Sequence, residues 1–259
     1  MKLIKRIFEG KKGTLILFAA AAILLACSVV EPARAALTYF SNDYTMQMEI
    51  QDIGVTLVEK SAKGTKDISS RDYLGSDDRW RQTSGALLTD MLKETDGELV
   101  IGRSYKEELS VRNTGTIDEY VRVRIFKSWT DENGNKVTTL APSLIELNMT
   151  NNGWIIDKKA STEERTVLYW PHILKVGEST AALCDSITIS NAIMSKVTET
   201  TETKDGLTTI TTTYCYDGMK FNVEAEVDAV QTHNAATAIK SAWGVDVNVS
   251  RDGTLSLVK

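Results

Sequence analysis

Histidine, cysteine and proline are scarce, with two, three and three copies among 259 residues. So few histidines narrow the available chemistry, because imidazole is the commonest acid–base group and metal ligand. Three cysteines cannot build a disulfide scaffold, and 16 glycines beside three prolines exclude a collagen-like repeat. The catalytic signatures H-E-x-x-H, G-x-S-x-G, P-loop and G-x-G-x-x-G are all missing. No catalytic, cofactor-binding or metal-ligating residue is therefore assigned, and no cofactor is expected. What is present, 42% hydrophobic and 25% charged residues, is the composition of a folded body rather than a disordered chain.

The formal net charge of −5 averages two unlike parts. Residues 1–35 hold six Lys and Arg against two acids, so 24 basic and 33 acidic side chains remain beyond them, a net −9. An acidic body repels phosphates, so nucleic acid is not an expected partner. The basic start leads into 18 uncharged residues, 13–30, followed by Glu31-Pro32-Ala33-Arg34-Ala35. A basic region, an apolar run and an A-x-A site make a secretory signal. Ala33 and Ala35 flank the cut, and the mature chain begins at Ala36. An uncleaved anchor is the second reading, because 18 residues lie at the lower edge of a membrane-spanning helix. Lipidation of Cys27 within Leu24-Leu25-Ala26-Cys27 is the third. In each case only the N-terminal segment meets the membrane.

Residues 36–259 read as one antiparallel β-sandwich domain with a single short helix near the C-terminus. Val121, Val123 and Ile125 alternate with Arg122 and Arg124; Phe221, Val223, Ala225 and Val227 alternate with Asn222, Glu224 and Glu226. Period-two patterns of this length mark half-buried strands. The charges suggest that Arg122 and Arg124 face Glu224 and Glu226 on neighbouring strands. Met46, Met48 and Ile50 change parity to Ile53, Val55 and Leu57, which predicts a bulge near Asp52-Ile53. Residues 61–93 show weak patterning and are expected to form a long loop ending in a short helix. A Thr-rich hairpin is expected at 195–216, turning at Asp205-Gly206 and polar on both faces. Ala235, Ala238, Ile239, Ala242 and Trp243 recur at helical spacing, and Gly244 supplies a C-terminal cap.

The remaining chemical candidates are few. His172 follows Tyr169-Trp170-Pro171, and His233 lies on the polar side of the predicted helix with Thr237 and Lys240; they read as one aromatic-packed and one solvated imidazole. Asp131-x-Asn133-x-Asn135 superficially matches a calcium loop, but its glycine is misplaced and Pro142 stands where a closing acid belongs. A hairpin turn is the better account. Cys184 and Cys215 are the only cysteines beyond Cys27. In an exported chain they form either a disulfide or two unrelated thiols.

Several segments together resemble the TasA/camelysin family of exported Gram-positive proteins. They are Ala36-Leu37-Thr38-Tyr39-Phe40-Ser41, Ile53-Gly54-Val55-Thr56-Leu57-Val58-Glu59, Val111-Arg112-Asn113-Thr114-Gly115, Tyr120-Val121-Arg122-Val123, Trp129, Gly177-Glu178-Ser179-Thr180, Val230-Gln231, Ala238 and Trp243-Gly244. The resemblance implies a jelly-roll-like sandwich, processing by a SipW-type signal peptidase, and secretion to the cell surface or extracellular biofilm matrix. It further implies self-association, or association with related matrix subunits, as a main or accessory fibre subunit. The segments at 61–93 and 195–216 look like additions to that pattern. The camelysin branch is described as metalloendopeptidase, for which no zinc motif exists here. A mature N-terminal segment, Ala36, Leu37, Thr38, Tyr39 and Phe40 onward, is the candidate strand for pairing with an exposed sheet edge of the next copy. A surface adhesin or ligand-binding sandwich is the alternative class.

Overall fold

A computed structural model of the chain describes residues 51–76, 78–95, 97–150, 152–204 and 207–258. The signal segment, the cleavage site, residues 36–40 and the alternating residues 46–50 lie outside the described residues.

Strands dominate. The first are β1 (Ile53–Ser61), β2 (Gly64–Leu74), β3 (Arg79–Thr83), β4 (Ser104–Asn113) and β5 (Glu119–Thr130). There follow β6 (Lys136–Val137), β7 (Ile145–Met149), β8 (Ile155–Ile156), β9 (Arg165–Tyr169) and β10 (Cys184–Ile189). The last are β11 (Val197–Lys204), β12 (Leu207–Tyr214), β13 (Lys220–Gln231), β14 (Val247–Val249) and β15 (Leu255–Leu257), with helix α1 (Ala235–Trp243) between β13 and β14. All the pairings are antiparallel. One sheet runs β3-β2-β1-β4-β10-β7; a second runs β13-β5-β9-β8, with β6 added to β5.

The two sheets face one another through a shared core. Val55 and Leu57 of β1 and Leu109 and Val111 of β4 meet Val121, Val123 and Ile125 of β5 and Val227 and Ala229 of β13. Each such side chain contributes roughly 1.5–3 kcal/mol on burial, which is why strand alternation decides which face points inward. A second cluster closes one end, around Tyr105, Trp129, Leu140, Ile145, Ile187 and Ile193. A third lies on the outer face of the second sheet, where Tyr120, Tyr169 and Val230 receive Ala235 and Ile239 of α1. Gly244 caps that helix in the left-handed region (φ 71°), its amide donating to the Lys240 carbonyl. Residues from Ile50 onward form a compact unit of their own.

Two local expectations change. Residues 61–93 are not a loop: they hold β2 and β3, which extend the first sheet beyond β1, and only Met91–Glu94 is helical, as a 3-10 turn. Backbone pairing holds these strands with little apolar content, so their sequence carries almost no alternation signal. The bulge expected near Asp52-Ile53 rests on residues 46–50, which lie outside the described residues; the register shift that is seen falls at Leu57/Val58. There β2 carries one extra residue, Ile68, whose side chain enters the core. β5 and β13 are indeed neighbours, but Arg122 faces Asp228, Arg124 faces Glu226, and Glu224 faces Phe126.

β11 and β12 pair with each other over eight residues, and Ile210 is 63% exposed. Asp131 organises its own turn: Oδ1 accepts from the Asn133 and Asn135 amides (2.9 and 2.8 Å), and Gly134 takes φ 84°.

Candidate functional site

β13 is a 12-residue strand whose ladder, among the described residues, runs to β5 alone. Its C-terminal half is buried on both faces from Val227 to Val230. Its N-terminal half is different: Phe221, Val223 and Ala225 pack against the core clusters yet stay half-buried, because they also line an open groove. Between them and the β2–β3 ribbon runs a groove of about 810 Å³. Leu87, Leu88, Met91 and Leu92 form the opposite wall. The groove thus pairs an apolar floor with an unclaimed row of backbone N–H and C=O groups, the two features that an incoming strand needs.

Arg71 sets the limit of this opening. It crosses from β2 to the Asp228 carboxylate, which Arg122 also holds at 2.6 Å and Arg124 at 3.3 Å. Asp228 is only 4% exposed, so three guanidiniums offset the cost of burying one carboxylate. Arg71 also lies 4.8 Å from the ring centre of Trp80, which stacks against Tyr73. The sheets are bolted together at Val227–Val230 and left apart before it.

At the other end of β13 the start of β1 is clamped. The Gly54 carbonyl accepts the Thr114 and Gly115 amides (2.8 and 3.0 Å), and the Gly54 amide donates to Glu119 Oε1 at 2.7 Å. Asn113 Nδ2 donates to the Ile117 and Leu174 carbonyls, while its Oδ1 accepts the Gly115 amide. A Cβ on Gly115 would stand 2.6 Å from both the Asp52 oxygen and the Gly54 nitrogen, so no side chain fits. Gln51, Thr116 and Gln231 line one depression here. Residues 51–54 are therefore held beside the end of β13 remote from the groove.

Glu119 was not conspicuous in sequence, nor were Glu59 and Glu107. Burial pushes the Glu119 carboxyl up to about 8, against the opposing pull of the Gly54 amide. Burial likewise pushes Glu107 up to about 9, reinforced by hydrogen bonding to Glu59 and by its charge. Neither Glu107 oxygen faces a protein donor, and the side chain is 1% exposed. With a proton on Glu107, one oxygen becomes a donor toward Glu59, whose own Oε1 accepts the Leu88 amide at 2.7 Å. Raised carboxyl values often mark acid–base sites. Glu107 and Glu119, however, line neither the groove nor the depression, so their effect is on the fold.

Cys184 and Cys215 are free thiols. Cys184 sits in the sandwich core, its Sγ donating to the Glu107 carbonyl at 3.3 Å, and burial raises it to about 12. Cys215 follows β12 and packs on the end cluster instead, so the two side chains belong to different cores. His172 is exposed and meets Trp170 edge-on at 5.5 Å. His233 is exposed ahead of α1. Among the described residues no group of three or more His, Cys, Asp and Glu is placed to hold a metal ion, and no helix is long and apolar enough to cross a membrane.

A scan of protein-family models, a search of curated proteins and a search of solved structures return no match. The function must therefore be argued from the edge, the groove and the clamp.

Proposed function

We propose that the chain is an exported structural protein of the cell surface or biofilm matrix, of the kind the TasA/camelysin resemblance implies. In this proposal a SipW-type peptidase cuts after Ala35, and the sandwich is of jelly-roll type. The freed segment of one copy, Ala36, Leu37, Thr38, Tyr39 and Phe40 onward, adds as a strand along β13 of the next.

The observation that carries the proposal is the half-open β13 edge beside its apolar groove. Residues 220–227 span about 26 Å at strand rise, the length of the eight residues 36–43. Leu37 and Tyr39 share one face of such a strand and suit the apolar floor. The clamp holds Asp52 and Gly54 at the end of β13 remote from the groove. In this proposal the segment extends from that end while the groove receives a strand toward the other, so successive additions are head-to-tail and do not close on themselves. Filaments follow, built of this chain alone or with related subunits.

Electron microscopy of purified 36–259 beside 45–259 tests this. The proposal expects filaments from the first and monomers from the second. Equal filaments from both would remove the role given to the segment.

A further inference from the structure

A second groove, of about 880 Å³, lies on the outer face of the second sheet. Its floor is Arg122, Arg124, Arg165 and Tyr169; the end of α1 with Trp243 forms one wall, and Lys158 and Lys159 form the other. Five cations thus gather on one patch of a body whose net charge beyond residue 35 is −9.

The nearby acids are already engaged. Asp228 and Glu226 hold Arg122 and Arg124. Asp157 Oδ1 accepts the Lys159 and Ala160 amides (2.9 and 3.1 Å), and Asp246 is paired with Lys240. Among the described residues the Arg165 guanidinium donates only to a neutral carbonyl, that of Ala160 (3.0 and 2.7 Å), and forms no ion pair. Lys158 and Lys159 are exposed and form no ion pair with the described residues. Arg124 Nε is buried with no acceptor, an unmet donor of the kind that a bound group or water satisfies.

Apolar surface frames this charge. Ile156 and Val258 are 41% and 47% exposed at the rim, and the half-buried Trp243 ring packs on Tyr169 (5.6 Å) and over Arg122 (5.2 Å). Guanidinium forks match carboxylates, lysines add point charge, and apolar and aromatic surface accepts the C–H face of a pyranose ring.

We infer that this groove binds a polysaccharide bearing carboxylates, its acid groups on Arg165, Lys158 and Lys159 and its sugar rings against Ile156, Trp243 and Val258. The site lies on the outer face of the second sheet, away from the inward face of β13, so it operates whether or not the chain polymerises. It would let the protein hold acidic matrix polymer.

The test uses the 36–259 chain and polygalacturonate as the probe, with neutral dextran and inorganic polyphosphate as comparators, by titration calorimetry at two salt concentrations. The expected result is polygalacturonate binding that weakens with salt, at least tenfold weaker in Lys158→Gln/Lys159→Gln/Arg165→Gln and unchanged in Lys63→Gln. Should the Arg165 change disturb the fold, the double lysine variant serves alone, with at least a threefold loss expected. Equal affinity in the variants overturns the site. Dextran binding as tightly overturns the role of charge, and polyphosphate binding as tightly overturns the sugar assignment.

Discussion

Replacing Glu107 by Gln should stabilise the protein, and increasingly so as the pH rises. Glu107 is sealed between β1 and β4 with no donor facing it, and its carboxyl is pushed up to about 9 from an ordinary 4.5. A carboxyl whose folded value lies above its unfolded value favours the native state fully below pH 4.5. That contribution is lost progressively as pH climbs to about 9. At pH 7.5 the native chain keeps a proton that the unfolded chain has released. Three pH units at about 1.4 kcal/mol each set a ceiling near 4 kcal/mol; residual solvent screening and sharing with Glu59 reduce this to about 2–3 kcal/mol. Gln keeps a donor toward Glu59 and removes the titration. Urea unfolding of wild type and Glu107→Gln at pH 5, 6.5 and 8 is the assay. The difference should be small at pH 5 and rise with pH to about 2–3 kcal/mol by pH 8. A pH-independent difference, or a variant less stable at pH 8, would refute the argument.

Other consequences are simpler to state. Gly115→Ala should cost about 2–4 kcal/mol in denaturant unfolding, because its Cβ meets backbone on both sides. Asp228→Ala should destabilise by about 3 kcal/mol, since it strands Arg71 and Arg122 and leaves Arg124 with Glu226 alone, whereas Arg71→Ala should cost nearer 1 kcal/mol, because Arg122 and Arg124 still hold Asp228. In native 36–259 at pH 8 an aromatic disulfide reagent should titrate Cys215 only, with Cys184 appearing after denaturation, since burial raises the Cys184 thiol to about 12. Two slow native thiols or two fast ones would contradict the placement of these side chains.

Strands with one buried face were readable because burial imposes alternation: β5 and β13 stand where Val121, Val123, Ile125 and Phe221, Val223, Ala225 put them. The helix was equally plain, since its apolar stripe and Gly244 cap leave a local trace. β2 and β3 were not, because these strands at the margin of the sheet are held mainly by backbone pairing and, Ile68 apart, their side chains stay half-exposed or exposed. Register was only half visible. Charge matching favours any Arg–acid alignment, and the inward packing of Val227 and Ala229 selected Asp228 over Glu224. The groove and the basic patch arise from residues brought together across both sheets and the C-terminal segment, so no single stretch announces either. Gly54, Asn113 and Gly115 show the reverse: they appeared as motif fragments, and the clamp supplies the physical reason for each.

The central claim is that one copy's mature N-terminus lies along β13 of another. A photo-crosslinking residue at Tyr39, in an equal mixture of isotopically light and heavy 36–259, tests it directly by mass spectrometry of the cross-linked peptides. The account predicts mixed light–heavy links from position 39 to residues 219–227 or to the facing wall at 87–92. Links confined to one chain, or directed to other surfaces, would contradict it.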